Sequence, residues 1–335
     1  MNADAPRDRH GRPLRDLRLS LVETCNFRCP YCMPADATPE NEVLDRASRL
    51  DFDEIEVAVR AFARVGVSKL RLTGGEPLLR KNLPELVARL VKVPGIEDIA
   101  LTTNGSLLAG QARALREAGL RRLTVSLDAL DPALFRQLSG GRGNVDDVLA
   151  GIAAAEAAGF SSIKFNCVVQ RGVNEAEALR LVGHFRGTGH VLRFIEFMDV
   201  GNCNGWRRDK VVPSAELRDL ISAQWPLRPL SPTYRGEVAS RHAFVDGQGE
   251  VGFVSSVSEP FCGDCHRARL SADGQLFTCL FANRGTPLRE VIAQGEDALA
   301  ARLGELWRAR GDRYSEQRGE EDRKRRKIEM FYIGG

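Results

Sequence analysis

From residue 17 to about residue 199, short runs of aliphatic and β-branched residues alternate with longer stretches whose apolar positions recur every three or four residues. The short runs at 17–21, 67–72, 96–101, 122–127, 162–168 and 191–197 predict strands. Between them DEIEVAVRAFARVG, NLPELVARLVKV, LLAGQARALREAG and NVDDVLAGIAAAEAAG have the period of amphipathic helices, and several end at a glycine (Gly66, Gly119, Gly159). Repeated β–α units predict an α/β fold with a parallel sheet, either doubly wound or an incomplete barrel. The unusual polar residues choose between them. A cysteine-rich loop follows the first strand, Gly74-Gly75-Glu76-Pro77 the second, and Thr102-Thr103-Asn104-Gly105 ends the third. Ser126-Leu127-Asp128 ends the fourth, Lys164 and Asn166 lie on the fifth, and Glu196-Phe197-Met198-Asp199 ends the sixth. Parallel folds place their sites at strand C-terminal ends, and six contributing strands suit a barrel mouth better than one crevice. We therefore expect a partial (β/α)6 barrel.

After about residue 210 the pattern changes. HAFVDGQGEVGFVSSVS and RLSADGQLFTCLF read as strands joined by glycine-containing turns, with Asp273-Gly274 a hairpin signal. Two regions follow, 1–210 and 211–335, with the second expected to fold over the barrel mouth.

Composition narrows the class. With 335 residues, 43% hydrophobic and 28% charged, the chain supports a sizeable core. The balance of 48 Lys and Arg against 45 Asp and Glu, net +3, argues against a nucleic-acid coat or a membrane-surface protein. No apolar run reaches ~18 residues, and MNADAPRDRHGR lacks the apolar segment of a secretory signal. A cytoplasmic location is expected, where the 8 cysteines read as thiols or metal ligands rather than disulfides. The run Arg323-Lys324-Arg325-Arg326-Lys327 reads as a solvated face.

Three cysteines, Cys25, Cys29 and Cys32, are spaced C-x3-C-x2-C, and three more, Cys262, Cys265 and Cys279, C-x2-C-x13-C. A cubane iron–sulfur cluster or tetrahedral zinc wants four protein ligands, and each group offers three. A 4Fe–4S cluster on either would keep one iron open for a non-protein ligand. At the second group, structural zinc completed by His266 is a rival on spacing alone. Cys167 and Cys203 are isolated and read as small buried or loop residues.

The first group, with an aromatic residue before its last cysteine and GGEP after the second strand, resembles the radical S-adenosylmethionine (SAM) superfamily. GRPLRDLRLS, RLTGGEPLLR, LTTNG, RRLTVSLDAL, RFIEFMDVGNCNGW, SVSEPFCGDCHRARLSADGQLFTCLF and the terminal YIGG together resemble the GTP 3′,8-cyclase family of molybdenum cofactor biosynthesis, over nearly the whole chain. The resemblance implies a partial radical SAM barrel, SAM as radical source and two 4Fe–4S clusters, the second binding the guanine of GTP at its open iron. It implies hydrogen removal from ribose C3′, attack of that carbon on guanine C8, and 3′,8-cyclo-7,8-dihydro-GTP as product. Tyr31, Gly75, Ser126 and Met198 match SAM-contacting positions. Arg18, Arg71, Thr102, Lys164, Arg267, Ala268 and Arg269 match positions that hold GTP, with Arg18, Arg267 and Arg269 candidates for the final proton transfer.

A flavodoxin or ferredoxin as electron donor, cyclic pyranopterin monophosphate synthase as the next enzyme, and a homodimer are further implications. His266 then needs no ligand role, and an exposed or hydrogen-bonded imidazole is expected. The terminal Gly334-Gly335 looks like a functional element reaching into the site. Two features depart from the family: Glu23-Thr24 stands where Asp-Arg is usual before the first cysteine, and Pro30 where a polar residue is common. A peptide-modifying radical SAM enzyme with an auxiliary cluster is the alternative, but the extra cysteines and peptide-recognition segment it calls for are missing.

Overall fold

The structure, a computed structural model, describes residues 5–35, 45–319 and 326–334. Strands β1 (Asp16–Ser20), β2 (Lys69–Thr73), β3 (Asp98–Thr103), β4 (Arg122–Ser126), β5 (Lys164–Val169) and β6 (Val191–Glu196) lie in sequence order, all parallel. Their crossovers carry α1 (Phe52–Arg64), α2 (Leu83–Leu90), α3 (Ala112–Glu117), α4 (Pro132–Leu138), α5 (Val145–Ala157) and α6 (Glu177–Phe185). Every strand expected from the sequence is present with its ends moved by one or two residues. Helix α3 is shorter than its pattern, because Gly105 and Gly110 hold the preceding segment in turns. Helix α4 was not among the expected elements, although Asp131 caps its N-terminus and Pro132 opens it, a legible start signal.

The C-terminal region departs from a simple cover. After α7 (Ser214–Gln224), β7 (Leu227–Leu230), β8 (Ser240–Phe244) and β9 (Glu250–Val254) form a meander, and β9 pairs parallel with β6. Then β10 (Arg267–Leu270) pairs parallel with β1, followed by antiparallel β11 (Gln275–Phe277) and β12 (Thr286–Pro287). The result is one 12-stranded sheet, ordered β12-β11-β10-β1-β2-β3-β4-β5-β6-β9-β8-β7. The second region thus extends the barrel sheet at both edges, where unpaired backbone groups would otherwise face water. The chain finishes with α8 (Arg289–Ala293), α9 (Glu296–Ala309), α10 (Tyr314–Gln317) and α11 (Met330–Ile333).

Strand alternation sets what faces where. On β1 Leu17 and Leu19 are buried under helices while Arg18 turns into the barrel, and β5 buries Phe165, Cys167 and Val169 while Lys164 and Asn166 turn inward. Helix α1 is held by a capping box between Asp51 and Glu54, both bonds 2.8 Å. It buries Ile55, Ala58, Val59 and Phe62 and packs on α9. Phe62 is fully buried, so Phe62→Ala should cost about 3–5 kcal/mol.

Candidate active site

The barrel encloses a cavity of about 380 Å³ to which β1–β6 and β10 all contribute, and both cysteine groups line it. Cys25, Cys29 and Cys32 sit on a loop after β1 in which the Cys32 and Met33 amides donate to the Cys29 carbonyl (3.0 and 2.9 Å). Phe27 in this loop packs edge-on against Phe135. Burial pushes the Cys25 thiol up to about 11. Burial also holds Cys29 and Cys32 well above the usual thiol range, and the negative charge of their neighbours adds to it.

The turn after β2 lies directly against the chain entering this loop. A Cβ on Gly74 or Gly75 would fall on the backbone of Val22 or Thr24, so glycine is required for that approach as well as for any ligand on the cavity side. Glu76 ties strand ends together: it accepts from Thr103 Oγ1 (2.7 Å) and the Asn104 amide (2.8 Å), and burial raises its carboxyl to about 7. Tyr31 donates to Asp128 Oδ2 at 2.6 Å, and burial lifts Asp128 to about 6. Ser126 and Met198 line the same end of the barrel strands. Of the departing residues, Glu23 is buried and accepts two bonds from Arg49 (2.9 and 2.5 Å), whereas Pro30 is exposed.

Cys262 and Cys265 flank a short turn leading into β10, and Cys279 follows β11. Burial works against ionisation of Cys265, but the guanidiniums of Arg267 (3.3 Å to Sγ) and Arg310 (3.4 Å) pull its thiol down to about 6. Burial pushes Cys279 up to about 12. His266 does not face the cavity. Of the two settings expected, exposed or hydrogen-bonded, exposure does not hold: it is buried, its Nδ1 is 3.0 Å from Asp16 Oδ2, and the Gly236 backbone lies across its other edge. The zinc alternative thereby loses its fourth ligand. Among the described residues no three His, Cys, Asp or Glu side chains are arranged to hold a single ion. A cubane asks for something else: one soft thiolate per iron, spread around a body, and each group presents three on a cavity wall.

The remaining walls are cationic. Register places Arg18 beside both Arg71 on β2 and Arg269 on β10. Burial, then Arg269, Arg71 and Arg267, drives Arg18 far below the usual guanidinium range. Burial and Arg267 pull Arg269 to about 9, and burial with Arg193, Arg122 and Arg71 lowers Lys164 to about 8. Arg71 donates to Thr102 Oγ1 at 2.9 Å. So many buried cations facing one space ask for a polyanion.

Of the residues expected here, Ala268 alone turns away: on β10 it alternates with Arg267 and Arg269 and is fully buried in the core. Gly334 is buried beside Arg269, which donates to its carbonyl; Gly335 lies outside the described residues. Arg193, Lys69, Tyr234 and Arg310 also line the cavity and were not singled out from the sequence. Arg193 alternates with the buried Leu192 and Phe194 on β6 as Lys164 does with Phe165 on β5, so the same logic finds it. Nothing local marks Arg310. Lys327 is buried rather than solvated, while 323–325 lie outside the described residues.

A family model of the radical SAM superfamily matches residues 19–184, and one described as Molybdenum Cofactor Synthesis C matches residues 190–316. A GTP 3′,8-cyclase of Xanthomonas campestris pv. campestris is 68% identical over 335 residues, covering 100% of this chain and 99% of that protein. The chain belongs to the GTP 3′,8-cyclase family. Other members of the family, from Acidothermus cellulolyticus and Staphylococcus carnosus, are 51% and 45% identical, each over 98% of this chain and 99% and 98% of theirs. Among solved structures, Streptococcus suis SuiB bound to S-adenosylmethionine superposes with a TM-score of 0.63 at 14% identity, covering 87% of this chain and 68% of its own. It shares the fold of the family, a partial barrel of parallel strands.

Proposed function

We propose that this cavity converts GTP to 3′,8-cyclo-7,8-dihydro-GTP, the first step of molybdenum cofactor biosynthesis. The observation that carries this reading is that two groups of three cysteines line one cavity into which Arg18, Arg71, Lys164, Arg267 and Arg269 also turn. Cys25, Cys29 and Cys32 would hold one 4Fe–4S cluster, and Cys262, Cys265 and Cys279 the other. When bound, the first cluster and SAM supply a 5′-deoxyadenosyl radical. Everything else falls to the chain. Tyr31, fixed by Asp128, together with Gly75, Ser126 and Met198, forms the wall for SAM. Arg18, Arg71, Lys164, Arg267 and Arg269 take the triphosphate and orient the ribose, with Thr102 aligning Arg71.

Arg18 and Arg269, whose protons burial and like charge loosen, are better suited to give up a proton than Arg267, which Cys265 holds up. In this reading residues 1–210 carry the radical-generating loop and part of the GTP wall, and 211–335 complete that wall and carry the second group of cysteines. A flavodoxin- or ferredoxin-like donor would supply the electron, and cyclic pyranopterin monophosphate synthase would take the product. Eight cysteines outside any disulfide fit a cytoplasmic setting, and among the described residues no helix is long and apolar enough to cross a membrane. The test is anaerobic incubation with GTP, SAM and a reductant. One hydrogen atom leaves to 5′-deoxyadenosine and one electron and one proton return, so the product is an isomer of GTP. A new chromatographic peak of unchanged mass should match the 5′-deoxyadenosine formed. SAM cleavage with all GTP recovered intact would overturn the reading.

A further inference from the structure

Where the last segment of the chain meets the loop after β6, Asp199, Lys327 and Glu329 are each more than nine-tenths buried. None of them lines the cavity wall described above. Lys327 Nζ donates to Asp199 Oδ2 (2.9 Å) and to the Asp199 carbonyl (2.7 Å), and Tyr314 donates its hydroxyl to the same carboxylate (2.5 Å). Arg318 brings a second cation to 3.0 Å from Asp199 Oδ1, at an angle too poor for a hydrogen bond. Lys327 and Arg318 also lie over the stacked rings of Phe281 and Tyr314.

Three residues further along the loop, Asn202 reads the tail's backbone as a neighbouring strand would. Its Nδ2 donates to the Lys327 carbonyl (2.5 Å) and its Oδ1 accepts from the Lys327 amide (2.9 Å). Its own amide and Nδ2 donate to Glu329 Oε1 (2.9 and 2.8 Å). The Ile328 amide donates to the Ala282 carbonyl (2.9 Å), three residues past Cys279. From Glu329 only the single turn of α11 separates this anchorage from Gly334, whose carbonyl meets Arg269.

We propose that Asp199 and Asn202 form a clasp that fixes the register of the tail, so that Gly334 is held on Arg269 only while residues 327–329 are locked. These are positioning residues for the proposed reaction, and the inference rests on that reading. The clasp sits where three parts meet: Met198 precedes Asp199, Phe281 follows Cys279 by two residues, and the tail crosses both. A loosened tail displaces Arg269 from the substrate without disturbing either set of cysteines. Radical formation should therefore survive while its coupling to cyclisation fails, and misplacement by about 1 Å can cost on the order of 10²-fold.

The test uses full-length, cluster-loaded Lys327→Met, with Lys327→Arg and Asn202→Ala alongside. Lys327→Met should keep its iron and its SAM cleavage without GTP, yet lose at least about tenfold in cyclised product per 5′-deoxyadenosine. Hydrogen exchange of the amides at 330–334 should quicken by a similar factor. Lys327→Arg should restore both. Unchanged exchange in Lys327→Met, or a loosened tail with the parent's coupling ratio, overturns the clasp. If Lys327→Met loses iron or fails to fold, Asn202→Ala decides by the same two readouts, since it breaks no ion pair. Failure of the parent to cyclise GTP would strike the reaction itself, and the exchange measurement would still judge the clasp.

Discussion

The two cysteine groups each offer three thiols to one cavity, but they stand in opposite electrical surroundings. Around Cys25, Cys29 and Cys32 the nearby ionisable groups include Glu76 and Asp128, and burial raises every thiol. Around Cys265 two guanidiniums overcome burial and pull the thiol down to about 6. SAM carries a sulfonium cation and GTP is a polyanion. In the proposed reaction, carboxylates near the first group would favour the cation and guanidiniums near the second the polyanion, because long-range charge acts earlier than contact. Equal ligand number therefore does not mean equal sites.

The most severe way to break the comparison is Cys29→Ala. It should abolish SAM cleavage and cyclisation together, and iron should fall from about eight to about four per chain. Cleavage above background would show that the first loop is not the radical source. Cys279→Ala should likewise leave about four irons but keep slow SAM cleavage while yielding no cyclised GTP. Cyclisation at the parent rate there would make the second site structural.

Gly334→Ala should act at the arginine end alone. Gly334 has φ +74°, and a Cβ there would fall on Thr73 Cγ2, so the tail must leave Arg269 or bear strain of about 1–2 kcal/mol. Turnover should collapse with iron content unchanged and melting temperature nearly so. A variant as fast as the parent would show that the tail is dispensable.

The gentlest test is pH. Lys164 loses its proton near 8 in the folded protein, below its ordinary 10.5. Between those values the unfolded chain binds more protons, so the stability contribution of Lys164 rises with pH. Binding of GTP runs the other way and should weaken several-fold from pH 7.5 to pH 9, by roughly the loss of one cation's contact. Titration calorimetry should find a shallower dependence in Lys164→Met than in the parent, the remainder coming from Arg269, which burial pulls to about 9; the same slope in both would assign all of it elsewhere.

The strands and the residues at their ends were legible because alternation and period are local properties. Arg267 and Arg269 share one face for the same reason, whereas Arg18 was reached only through the family resemblance. The pairing of β10 with β1 was not legible: residues 251 positions apart choose each other through edge complementarity that no window of sequence contains. Lys327 failed similarly. In a run of basic residues it looks like its neighbours, and the Asp199 carboxylate that offsets its burial is more than a hundred residues away. Which of the two settings expected for His266, exposed or hydrogen-bonded, would hold was not legible, because its shelter comes from Gly236 and Asp16, neither near it in sequence.

The capping of β1 by β10 and of β6 by β9 has a consequence for synthesis. A ribosome that has completed β6 has made a half-cylinder with two raw edges, the arrangement most prone to pair with a neighbouring chain. The strand that seals one edge emerges soon after, but the strand that seals the other is the one bearing Arg267 and Arg269. Protection from aggregation and assembly of the anion-binding wall are thus the same late event. Residues 1–210 expressed alone should accumulate as aggregate, and a chain that stays soluble through biosynthesis has, by that fact, already built its substrate wall.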